Sequence, residues 1–257
     1  MARLRVVGGV IFNLSNILLV AAIDIAGLAV AFPIGVGLAL VLAVITTYWA
    51  TGAGNVPMIT AGVAGILIAI VLDAIAYRRL ATVAKKPPMR GIMLSIVAGV
   101  LMGWFYSFVA QAMGAVDSVS HSLTPGKLSP YTALVLFSLG LFLSNFLWNS
   151  IVMAKPFSGA PVSYRDYFAQ ANPRLHLVGI LGGIIWNIGM GLSIIASHAA
   201  GPALSYGLGQ GATMIGAIWG VFVWKEFKGA PMGTNGLLAA MFLFYLVGLG
   251  ILIASKL

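Results

Sequence analysis

Eight long apolar runs, with nearly every charge confined to the gaps between them, decide what this chain can fold into. Reading about 20 predominantly apolar residues as one membrane crossing, we place segments A to H at residues 6–23, 28–49, 56–77, 91–113, 131–153, 175–197, 202–224 and 236–254. Each run is apolar on every side rather than along one stripe, which argues against surface amphipathic helices. None alternates with period two, as a membrane β-barrel strand would. Only 7% of the 257 residues are charged, where a water-soluble domain carries about a quarter. The expected fold is all-α: a polytopic membrane bundle of eight transmembrane helices, because a helix satisfies its backbone from within one segment. Segment A is too long for a signal-peptide core, lacks a small-residue cleavage site and is followed by seven more runs.

The net charge of +9 suggests nucleic acid only until the 14 Lys and Arg are located. Arg78, Arg79, Lys85, Lys86 and Arg90 fill the C to D connection, Lys155, Arg165 and Arg174 the E to F connection, and Lys225 and Lys228 the G to H connection. Strict alternation puts these three on one side of the membrane. Arg3, Arg5, Lys127 and Lys256 fall on the other, a split that makes the first side cytoplasmic and both termini external. The expected contacts of the positive clusters are lipid headgroups, with no nucleic-acid partner. The sequence has no Cys, hence no disulfide, thiolate nucleophile or cysteine-ligated metal. His121, His176 and His198 lack metal-ligand spacing, and no Ser/His/Asp set or Gly-x-Ser-x-Gly turn occurs. No metal, no cofactor and no enzymatic chemistry are expected.

The chain also repeats itself. A shift of 174 positions, without gaps, aligns Gly8-Gly9 with Gly182-Gly183, Asn13 with Asn187, Gly35 and Gly37 with Gly209 and Gly211, and Pro57-Met58 with Pro231-Met232. Segments A, B and C therefore recur as F, G and H. Five crossings separate the two copies, and five is odd, so the copies traverse the membrane in opposite senses, as in many secondary transporters. The expected organisation is an incomplete first half-repeat of three helices (1–77), a basic connecting loop (78–90) and a second half-repeat of five helices (91–257). Two helices of the first copy have no counterpart after Met1, so we expect a shortened or alternatively started ten-helix protein, or a natural eight-helix derivative.

A polar side chain inside a span is a functional candidate, because hydrocarbon penalises it unless it is paired. Asn13 and Asn16 share a face of A, and Asn187, the repeat mate of Asn13, stands beside Trp186 in F. Amides of this kind suit a neutral ligand at the midplane; they equally suit interhelical hydrogen bonding. Segment G carries Tyr206 and Gln210 among Gly207, Gly209 and Gly211, where backbones approach closely. Pro33 of B aligns with Gly207, so Pro33, Gly207, Gly209 and Gly211 are candidate flexing points. Trp104 and Tyr106 of D offer aromatic walls for a ring-shaped or sugar-like solute. The expected substrate-contacting set is Asn13, Asn16, Trp104, Tyr106, Trp186, Asn187, Tyr206 and Gln210. Asp24, Asp73 and Glu226 lie near span ends and read as solvated or ion-paired groups.

The runs at 16–23 (NILLVAAI), 29–35 (AVAFPIG), 205–213 (SYGLGQGAT) and 219–227 (WGVFVWKEF) resemble bacterial relatives of the ureide permeases, which are similar to the glucose/ribose porters of the drug/metabolite transporter superfamily. The resemblance implies ten helices in two inverted halves, a cavity whose walls here would be A, B, D, F and G, and an acidic residue at the cytoplasmic end of a fourth helix, where Glu226 stands. It implies cytoplasmic termini, against the charge count. The combined expectation is a multi-pass permease of the cell membrane that moves a small polar solute, such as a ureide, nucleobase or sugar, by alternating access. The alternative is a non-transporting scaffold or partner subunit. Neither the solute nor the oligomeric state is legible.

Overall fold

A computed structural model describes residues 2–51, 55–80, 88–112, 129–170, 172–200, 202–209 and 211–255. Every regular element among them is helical, as expected for chains whose backbone must be satisfied without water. In chain order they are α1 (Ala2–Ala26), α2 (Leu28–Thr51), α3 (Val56–Leu80), α4 (Met89–Ala112), α5 (Pro130–Ala154), α6 (Tyr164–Gln170), α7 (Pro173–Ala200), α8 (Pro202–Gly209), α9 (Gly211–Ile218), a π-helical turn (Trp219–Val223) and α10 (Thr234–Ala254).

Six of these are long and apolar enough to cross a membrane: α1, α3, α4, α5, α7 and α10. Segment B is helical over all of α2, of which Val30–Thr46 counts as a shorter apolar stretch. Segment G is described as α8, α9 and the π-helical turn, on either side of Gln210, which lies outside the described residues. The described residues thus give six clear spans where the sequence suggests eight.

Local sequence sets the ends. Gly27 takes φ +81°, a left-handed conformation that lets α1 turn directly into α2. Ser129 caps α5: its Oγ accepts from the Thr132 amide at 3.2 Å, and Pro130 occupies the first turn, where its missing N–H costs nothing. Ser163 and Asp166 form a reciprocal cap for α6: Asp166 N–H donates to Ser163 Oγ at 3.1 Å and Ser163 N–H to Asp166 Oδ2 at 3.0 Å.

Packing follows the small residues. In lipid, helices gain little from the hydrophobic effect and associate where glycines let backbones meet. The α1–α5 crossing is the tightest: a Cβ on Gly9 would fall 2.2 Å from the Phe137 carbonyl oxygen, and one on Gly140 would fall 2.2 Å from that of Val6. On α4, a Cβ at Gly99 would meet the Gly35 carbonyl at 2.6 Å, and on α10 one at Gly248 would meet that of Gly62 at 2.9 Å. So α4 nests against α1 and α2, α5 lies along α1, and α3 pairs with α10. The centre is aromatic, with Phe12, Phe105, Tyr106, Phe137 and Tyr206 in mutual ring contact. By contrast α7 is the least covered span, and Gly182 and Gly183, the repeat mates of Gly8 and Gly9, meet nothing within 4 Å.

Candidate functional site

A cavity inside the bundle has a volume of about 570 Å³. Its walls are Phe12, Asn16 and Leu19 of α1, Phe32 and Val36 of α2, Met102 and Phe105 of α4, Ile185, Trp186, Gly189, Met190 and Ser193 of α7, Tyr206 and Gly209 of α8, and Ala212 and Thr213 of α9. These come from segments A, B, D, F and G. The surface is apolar and aromatic with a few convergent polar groups, the usual make-up of a small-molecule pocket.

Three of the sequence-derived candidates meet here. Asn16 presents an exposed amide from α1, one turn from the buried ring of Phe12. Trp186 stacks on that same ring, with centroids 5.2 Å apart and planes within 22°. Tyr206 is buried, its ring 4.9 Å from that of Tyr106. The wall at Ser193 is fixed by a hydrogen bond from Ser205 Oγ to the Ser193 carbonyl at 2.7 Å, which ties α7 to α8.

Others stand elsewhere. Asn13 is buried and spends its amide on α5, donating to Ser144 Oγ at 3.0 Å and to the Leu141 carbonyl at 3.3 Å. Asn187 is exposed and accepts from Ser138 Oγ, also on α5, at 3.3 Å. The two amides that the repeat pairs thus both address α5. Tyr106 stands behind the wall, fully buried, with its hydroxyl beside Ser193, Ser197 and Ser205. Trp104 faces a separate hollow of about 640 Å³ with Leu42, Ile45, Thr46 and Trp49. Gln210 lies outside the described residues.

Among the candidate flexing points, Pro33 sits inside α2, which continues through it. A proline there removes one backbone bond and frees a carbonyl one turn earlier. Gly207 packs on α10: a Cβ would meet Leu252 Cδ1 at 2.9 Å, while Gly209 and Gly211 have more room.

A second cavity, about 360 Å³, adjoins the first. It is lined by Pro33, Asp73, Ala74, Tyr77, Gly216 and Ala217, and it shares Phe32, Ala212 and Thr213 with the larger one. Here the sequence reading needs correction. Asp73 is not a solvated end residue, since its Oδ1 is buried without a hydrogen-bond partner among the described residues. Helix α3 runs on to Leu80, which draws Asp73 inward from the end of segment C. Glu226 is exposed, as expected of an end residue, and accepts from Tyr77 Oη at 2.6 Å. The walls that the sequence did not reveal, Phe12, Phe32, Met102 and Phe105, are apolar residues in apolar runs and carry no contrast to read. Among the described residues no group of His, Asp and Glu could hold a metal.

Comparison with known proteins fits this architecture. The ureide permease family profile matches residues 72–255. Ureide permease 5 of Arabidopsis thaliana is 28% identical over 187 residues, covering 72% of this chain and 44% of that protein. Ureide permease 1 of the same plant is 27% identical over 183 residues, 70% of this chain and 45% of that protein. Transmembrane protein 144 homolog B of Dictyostelium discoideum is 25% identical over 179 residues, 66% and 43% respectively. The chain spans somewhat under half the length of these relatives. With a match over well more than half of its own residues, carried on a multi-pass bundle of apolar helices, the chain belongs to the ureide permease family, whose members are membrane transporters and not enzymes.

Proposed function

We propose that this chain is a secondary transporter that moves a small polar organic solute across the cell membrane by alternating access, with ureides first among the candidates and nucleobases and sugars behind them. The observation that carries the reading is the cavity of about 570 Å³, enclosed by spans and furnished with aromatic faces and isolated polar groups. Trp186 and Tyr206 offer ring faces to a flat solute, and Asn16 offers both a donor and an acceptor. The names of the Arabidopsis relatives favour a ureide.

On this proposal the chain holds eight crossings, three in a first half (1–77) and five in an inverted second half (91–257), joined by the basic connection at 78–90 on the cytoplasmic side. The halves rock about the cavity, with Pro33, Gly207, Gly209 and Gly211 absorbing the motion. Asn13 and Asn187 hold α5 in register. Gln210 and the aromatics Trp104 and Tyr106 complete or support the binding surface.

The test is uptake by the full chain in proteoliposomes, against a panel of ureides, nucleobases and sugars. Asn16→Ala and Tyr206→Ala are expected to lower uptake at least tenfold, corresponding to about 1.4 kcal/mol of lost solute binding, while the protein stays folded in the bilayer. Uptake unchanged in both variants would remove the cavity from the pathway.

A further inference from the structure

Two polar side chains of α3 line the smaller cavity, and one of them is bonded to a third outside it. Asp73 and Tyr77 are one turn apart on α3, share a face and line the same space. Tyr77 Oη donates to Glu226 Oε2 at 2.6 Å, binding α3 to the segment that follows the π-helical turn. The glutamate is seated against Gly220 inside that turn, where a Cβ would come within 2.9 Å of Oε2 and 3.3 Å of Tyr77 Oη. The Tyr77 ring rests edge-on against Phe227, centroids 5.1 Å apart. Asp73 Oδ1, meanwhile, is buried with no donor among the described residues, a costly state for a carboxyl oxygen. Tyr245 of α10 lies near both Thr213 and Asp73.

A tyrosine hydroxyl has one proton to give; Glu226 takes it here, and Asp73 stands one helical turn away in the wall of the same cavity. We infer that Tyr77 is the moving part of a gate: bonded to Glu226 it closes the outer end of the smaller cavity, and turned onto Asp73 it opens it. Exchanging one carboxyl acceptor for another conserves the number of hydrogen bonds, which keeps two such states close in energy. The π-helical turn supplies the give, since such turns are irregular, rare and often functional. Because Phe32, Ala212 and Thr213 belong to both cavities, the open state would connect the solute cavity to the surface past Phe32. The gate rests on the transport reading only for the direction in which the passage leads.

The absence of Cys makes the test clean, because Ala74→Cys places a single thiol in the smaller cavity. The full chain is reconstituted in vesicles without solute, and the rate of modification by a membrane-impermeant, cationic methanethiosulfonate is measured from each side. Glu226→Ala removes the closed-state acceptor and leaves the Tyr77 hydroxyl to turn onto Asp73; it is expected to raise the rate by about fivefold or more, the size of one lost hydrogen bond. Asp73→Ala, which removes the alternative acceptor, is expected to bring the rate to the parent value or below. If Glu226→Ala does not fold, Glu226→Leu removes the same acceptor while keeping side-chain bulk beside Gly220, with the same expected rise. A rate unmoved by breaking the bond overturns the gate. No solute is needed for this readout, so failure to transport any compound tested would count against the proposed function and leave the gate to be judged on labelling.

Discussion

At the scale of single residues, a polar group in an apolar run was the legible signal, and its partner was not. Asn13 and Asn16 look equivalent in the sequence, three positions apart. The structure turns one into a clamp on α5 and the other into a cavity wall, because only Asn13 lies where α5 crosses. Asn13→Ala should therefore cost the bundle roughly 0.6–2 kcal/mol, the range for interhelical hydrogen bonds in lipid, read as a lower unfolding midpoint in detergent. Asn16→Ala should leave that midpoint in place and act on uptake alone. Asp166 is exposed, and the hydrogen bonds it accepts from Ser163 hold its carboxyl below the ordinary carboxylate range. A depressed value means the cap favours the folded form above the unfolded pKa and loses that advantage as pH falls through the folded one. Amide exchange at the start of α6 should consequently quicken, relative to its intrinsic rate, only below the usual carboxylate range, and Asp166→Asn should weaken the cap at neutral pH.

For whole elements, hydropathy gave the positions of the helices and said little about which ones touch. Segments C, E and H coincide closely with α3, α5 and α10. The contact between Gly9 and Gly140 joins two helices more than a hundred residues apart and leaves no local trace. The repeat identifies Gly9 with Gly183, yet their surroundings are opposite, one at backbone contact and one open. That difference is testable. Gly9→Ala is expected to destabilise by about 1–3 kcal/mol through overpacking against a backbone that cannot yield. Gly183→Ala should stay within about 0.5 kcal/mol of the parent, or stabilise slightly through helix propensity. Thermal or denaturant unfolding in matched detergent compares the two. Similar losses at both sites would mean that α7 is as tightly seated as α1. The π-helical turn at Trp219–Val223 was not foreseen, because nothing in its composition distinguishes it from the apolar helix that leads into it.

For the molecule as a whole, the all-helical membrane architecture was readable from the start, since the hydrocarbon phase leaves few ways to satisfy a backbone. The arrangement of space inside it was not. Two adjoining cavities separated by Phe32, Ala212 and Thr213 arise from side chains that hydropathy treats as uniform filler. Phe32→Ala should merge them. The expected outcome is weaker discrimination against bulkier solutes in competition uptake assays, with the rate for the preferred solute changing less than the ratio between solutes.

The bare flank of α7 has a physical consequence of its own. Its apolar stretch, Pro173–Ser197, is 25 residues long and extends about 38 Å at helical rise, against roughly 30 Å of hydrocarbon, and few neighbours among the described residues fix its inclination. Acyl-chain length then governs how steeply this helix leans, and with it the depth at which the Trp186 indole meets an occupant. Thinner and thicker bilayers would tune the same polypeptide to different affinities, making the lipid mixture a determinant of performance alongside the side chains.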